Sequence, residues 1–89
     1  MQQVFIFFEF IKNDQRISTA HISLYVALCY CASSQENKNP VMIVRKNLMR
    51  LSKISGRSTY QKCMQELREY GYIRYEPSFN HCSGQLIYL

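Results

Sequence analysis

Seven basic side chains, Lys38, Arg45, Lys46, Arg50, Lys53, Arg57 and Lys62, stand between residues 37 and 65 with no Asp or Glu among them. Exposed helix faces ordinarily alternate charge, because opposite signs three or four residues apart attract and like signs repel. A run of 29 residues that forgoes every such pair is suited to hold a polyanion. The whole chain leans the same way: eleven Lys and Arg against six Asp and Glu give a formal charge of +5 and a pI of about 9.2. The carboxylates Glu9, Asp14, Glu36, Glu66, Glu69 and Glu76 lie on either side of the basic window.

Other residue types here could do different chemistry. Cys29, Cys31, Cys63 and Cys82, with His21 and His81, are the kinds of side chain that ligate zinc. Their spacing argues against it. Cys29 and Cys31 on one helix point about 200° apart, and no Cys-x-x-Cys pair is present. The expectation is reduced thiols that pack as small hydrophobes, and a structural His21. Three glycines in the whole chain leave no glycine-rich phosphate loop, and neither paired carboxylates nor a nucleophile-base motif stands out. No catalysis, cofactor or metal is expected.

These residues must be positioned by a small scaffold. With 89 residues and 10.6 kDa, residues 1–89 read as one domain, which buries roughly 60–65% of its unfolded surface. The 47% hydrophobic content excludes a disordered chain. Its longest apolar run falls far short of the about 20 residues that span a bilayer, and no basic residue precedes it as a secretory signal requires. A cytoplasmic protein that does not enter a membrane is expected.

Residues 1–16 form an apolar N-terminal extension, with a short helix favoured over residues 3–12. Ser18 sits as the N-cap of a long helix, on which Ile22, Tyr25, Val26, Leu28 and Cys29 recur through about Ala32. A polar loop over residues 33–38 closes at Asn39-Pro40, and Val41, Met42 and Ile43 suffice to pair at a sheet edge. Helices are expected over 45–52 and 57–70, separated by a turn to which Gly56 lends backbone freedom. On the later helix Tyr60, Cys63, Met64, Leu67 and Tyr70 share one stripe, Thr59 sits near its edge, and Gly71 marks the stop. Residues 72–75 and 86–89 alternate as two strands of a hairpin around a turn at 77–84.

Helix, short strand, helix, turn, helix and hairpin is the order of a helix-turn-helix with a wing. Leu51-Ser52-Lys53-Ile54-Ser55-Gly56-Arg57-Ser58-Thr59-Tyr60, with Glu66-Leu67 and Gly71-Tyr72-Ile73, resembles the small winged helix-turn-helix regulators of bacteria over about residues 17–89. The fold class expected is mainly α with a small antiparallel sheet (α+β). The function implied is sequence-specific binding of double-stranded DNA, in a transcriptional regulator.

A helix fits the major groove, and the early residues of the recognition helix usually reach base edges. With Tyr60 and its stripe turned inward, Arg57, Ser58, Gln61, Lys62 and Gln65 become candidates for base readout. Gln pairs with adenine, Arg or Lys with guanine, and Ser with either. Arg45, Lys46, Arg50, Lys53, Ser55 and Arg74 are candidate phosphate contacts. The wing contributes Asn80, His81 and Ser83. Glu69 would repel DNA but lies two to three turns along. Small regulators commonly act in pairs, and the Phe5, Phe7, Phe8 and Phe10 region is the candidate homodimer contact. The competing readings are a winged-helix protein-interaction module and a replication or recombination accessory factor.

Overall fold

The computed structural model describes residues 2–35, 41–75 and 85–89. Four helices and a small antiparallel sheet follow in the order α1 (Gln2–Ile11), α2 (Thr19–Ser34), β1 (Val41–Ile43), α3 (Arg45–Ser52), α4 (Arg57–Glu69) and β2 (Gln85–Ile87). The class is α+β, mainly helical, as expected. No described helix is long and apolar enough to cross a membrane.

The long helix α2 is the hub, packing against α1, α3, α4 and β1. That explains its composition. His21, Leu24, Tyr25, Ala27, Leu28 and Cys31 are buried, and Ala20, Ile22, Cys29 and Ala32 are half-buried against the same core. A helix covered from several sides has no polar face to spare. It runs two residues beyond the expected end, so Ser33 and Ser34 belong to it rather than to a loop. Ser23 ties α2 to α3 by donating its hydroxyl to the Ser52 carbonyl.

In the sheet, β1 pairs antiparallel with β2, Val41 opposite Ile87 and Ile43 opposite Gln85. The hairpin expected between 72–75 and 86–89 is reduced to one bridge, with Arg74 N–H donating to the Tyr88 carbonyl at 2.8 Å and Tyr88 N–H returning the bond at 2.7 Å. The turn after α4 uses the first of those strand residues. Gly71 takes a left-handed φ of 87°, and Tyr72 donates its N–H back to the Leu67 carbonyl at 2.9 Å. Such a closing turn leaves Tyr72 outside any ladder. On its outer edge β1 meets a side chain instead of a strand: the Gln35 amide donates to the Met42 carbonyl at 2.7 Å and accepts the Met42 N–H at 3.1 Å. An edge satisfied in this way offers no free groups at Met42 to a foreign strand.

The connection between α3 and α4, residues 53–56, corrects a second expectation. Gly56 has an ordinary extended backbone (φ −87°). The left-handed residue is Lys53 (φ 64°), after which Ile54 donates its N–H to the Met49 carbonyl at 3.1 Å. Side chains avoid this region because Cβ crowds the carbonyl. Lys53→Gly is therefore expected to raise the free energy of unfolding by about 0.5–1 kcal/mol, as read by urea denaturation.

Candidate functional site

The inner face of α4 lies in the core: Tyr60, Cys63, Met64 and Leu67 are buried and Tyr70 is half-buried. Burial pushes the Tyr60 hydroxyl up to about 12 and raises the Cys63 thiol. On α2, burial pushes the Cys29 thiol up to about 11 and raises Cys31 as well. Thiols in that state are poor nucleophiles and poor ligands. Cys82 lies outside the described residues.

The opposite face of α4 is open. Arg57, Ser58, Gln61, Lys62 and Gln65 are all exposed. Thr59 is exposed too, not at the margin of the buried stripe. Gln65 is engaged along the helix, its amide donating to the Glu69 carboxylate at 3.1 Å, so any other partner must displace that bond. Lys46, Arg50, Lys53, Ser55 and Arg74 are exposed and Arg45 is half-buried. Arg50 donates to the Asn47 side chain at 2.9 Å, and the Arg74 guanidinium lies 5.4 Å from the Tyr88 ring centre. Asn80, His81, Ser83 and Lys38 fall outside the described residues.

Among the described residues, none of Arg45, Lys46, Arg50, Lys53, Arg57 or Lys62 makes an ion pair. The carboxylates are engaged elsewhere, Glu9 with Lys12 at 2.8 Å, Asp14 with Arg16 at 2.9 Å and Glu66 with His21 at 2.9 Å. Nor are the helix starts neutralised. No side chain caps the first turn of α3 or α4, and neither first turn holds an acidic residue. Arg45 and Lys46 open α3 and Arg57 opens α4. Cations at a helix N-terminus oppose the helix dipole, each at a cost of about 0.3–1 kcal/mol. A bound anion would reverse the sign of that interaction.

A polar chain holds α4 from its inner side, and the sequence reading did not foresee it. His21 is buried at the start of α2, where its Nδ1 accepts the Ser18 N–H at 3.0 Å. Its Nε2 is therefore the protonated nitrogen and donates to Glu66 Oε1 at 2.9 Å. The Tyr70 hydroxyl reaches Glu66 Oε2 at 3.4 Å. The Arg16 guanidinium covers the Tyr70 ring at 4.0 Å and forks onto both Asp14 oxygens at 2.9 Å. Asp14 accepts in addition from the Tyr72 hydroxyl at 2.7 Å. Ser18-x-x-His21 carries the spacing of a capping box with His in place of Glu, the one local signal of this arrangement in the sequence.

The Arg16 hydrogen bonds, followed by that from Tyr72, hold the Asp14 carboxyl well below the usual carboxylate range. A group depressed in the folded state stabilises the fold fully above its unfolded value near about 4. The contribution is lost as pH falls through the lower folded value. The stability difference between the wild type and Asp14→Asn is thus expected to be constant from pH 7 to about 5 and to shrink steadily below about pH 4. Denaturant titrations across that range check it.

No protein-family model matches the sequence, and neither a curated protein nor a solved structure is significantly similar to it.

Proposed function

We propose that the chain is a winged helix-turn-helix protein that binds double-stranded DNA in a sequence-specific manner and serves as a transcriptional regulator. The observation that carries this reading is that six cations of the acid-free stretch make no ion pair among the described residues, three of them, Arg45, Lys46 and Arg57, standing in the uncapped first turns of α3 and α4. Arg45, Lys46 and Arg57 oppose the dipoles of α3 and α4, and no acidic side chain in either first turn offsets that. Phosphates offset it.

In this reading α3 and α4 are the two helices of the motif, and the strand-like segment at Arg74 with β2 is the root of the wing. The outward row of α4 enters the major groove, where Arg57 and Lys62 address guanine, Gln61 and Gln65 adenine, and Ser58 either base. Arg45, Lys46, Arg50, Lys53, Ser55 and Arg74 hold phosphates and set the register. Lys53 supports the assignment from a second direction. A lysine kept at a left-handed position where glycine would be more stable suggests that its charge is worth the strain. Lys53→Gly should accordingly weaken DNA binding and reduce its salt slope by about 1 while it stabilises the fold.

Selection of bound duplexes from a random oligonucleotide pool, at two ionic strengths, tests the proposal. The expected result is a consensus that survives the higher salt. Recovery without a consensus would remove base readout, and no recovery at low salt would remove DNA binding altogether.

A further inference from the structure

Helix α1 is apolar on almost every side, yet only one side of it is covered. Phe7 and Ile11 are buried and Val4 is half-buried. The Phe7 ring lies flat on Tyr25 at 3.8 Å between centres and edge-on to Tyr72 at 5.3 Å. Phe7 therefore belongs to the core of its own chain, which removes it from the dimer contact expected from sequence. Phe5 and Phe10 are 67% exposed, and Ile6 and Phe8 nearly half exposed. A helix apolar all round is normally buried all round, and ten residues are far too few to span a bilayer.

The geometry points to a two-fold pairing of two copies of this chain through the face of α1 that carries Phe5, Ile6 and Phe10, with Phe8 outside it toward the buried side. Charge selects the occupant. Each copy is +5 overall, so two copies approach at least cost through a surface free of net charge. The described part of α1 carries one charged residue, Glu9, and that is paired with Lys12 just beyond the helix at 2.8 Å. One anion and one cation per copy, a turn apart, complement the same pair presented by a two-fold mate. A lipid surface would call for several lysines or arginines beside the aromatics, and the single one at this face, Lys12, is paired with Glu9.

Area is consistent with this pairing. At about 200 Å² per large side chain, Phe5, Ile6 and Phe10 offer roughly 350 Å² per copy. With Gln3, Glu9 and Lys12 around them, the pair reaches about 1,000 Å² in total, the lower bound for a specific interface. Aromatic centres with few charges are the composition such interfaces favour. The pairing does not depend on what α4 binds.

Sedimentation velocity from about 1 to 100 µM tests it, on the wild type, on Phe5→Asp combined with Phe10→Asp, and on Leu86→Asp, an exposed apolar residue of the sheet. The expected result is a wild-type dimer that the double substitution weakens at least about 50-fold, with Leu86→Asp within about threefold of wild type. Thermal melts by circular dichroism monitor folding. Should the double variant unfold, Phe10→Gln alone, with an unchanged melt, is expected to loosen the dimer about fivefold or more. A wild-type monomer at 100 µM would overturn the pairing, whether or not it floats with phosphatidylcholine-phosphatidylglycerol vesicles. So would a dimer indifferent to both Phe5 and Phe10.

Discussion

Leu67→Ala is expected to lower the free energy of unfolding by about 3–4 kcal/mol, while Gln61→Ala, on the other side of the same helix, stays within about 0.5 kcal/mol of wild type. Leu67 is fully buried in the core cluster, and its carbonyl also receives the Tyr72 N–H that ends α4. Truncation loses transfer energy and leaves a cavity that a core held by α2 from several sides fills poorly. A domain of this size has on the order of 5–10 kcal/mol in all, so the variant should unfold at markedly lower urea. Gln61 makes no side-chain hydrogen bond within the described chain and is exposed. Equal losses at the two positions would mean that the outward row is structural, and the proposed interface would lose its basis.

The second large effect has opposite signs in two assays. Lys46→Glu combined with Arg57→Glu is expected to stabilise the fold by about 1 kcal/mol and to weaken duplex DNA binding by about 100-fold at moderate salt. Both residues lie in first turns without an acidic side chain or a cap. Carboxylates there complement the dipoles and relieve repulsion from Arg45 and Arg50. The same reversal turns the Lys46 phosphate attraction into a repulsion and removes the Arg57 contact to guanine while adding a carboxylate beside the duplex. Chemical denaturation and fluorescence anisotropy read the two halves. A variant that binds DNA as tightly as wild type would place the phosphate contacts elsewhere, and one that is less stable would mean these cations serve the fold.

The sequence was most legible where structure is local. The stripe Tyr60, Cys63, Met64 and Leu67, the boundaries of α3 and the stop at Gly71 follow from helical period and from glycine's tolerance of positive φ. The outward row of α4 followed from the same period, and each of its proposed readout residues is exposed. Features that join distant residues left little trace. His21 and Glu66 are 45 positions apart, and nothing in either neighbourhood names the other. The left-handed residue of the turn between α3 and α4 is Lys53 and the freedom expected of Gly56 is not used, because the chain turns directly after Ser52, and composition cannot report where a helix chooses to end. In α1 every Phe reads alike in sequence, and only docking on Tyr25 and Tyr72 separates Phe7 from Phe5 and Phe10. The expected first wing strand shrank to one bridge because the turn after α4 takes up Tyr72.

An anisotropy titration of the wild-type protein against a labelled duplex, repeated across a salt series, tests the DNA-binding claim most directly. With roughly five phosphates neutralised, log K is expected to fall against log salt with a slope of about −4 to −5. A slope between zero and about −1, or no binding at about 50 mM salt, would show that this surface does not grip a duplex.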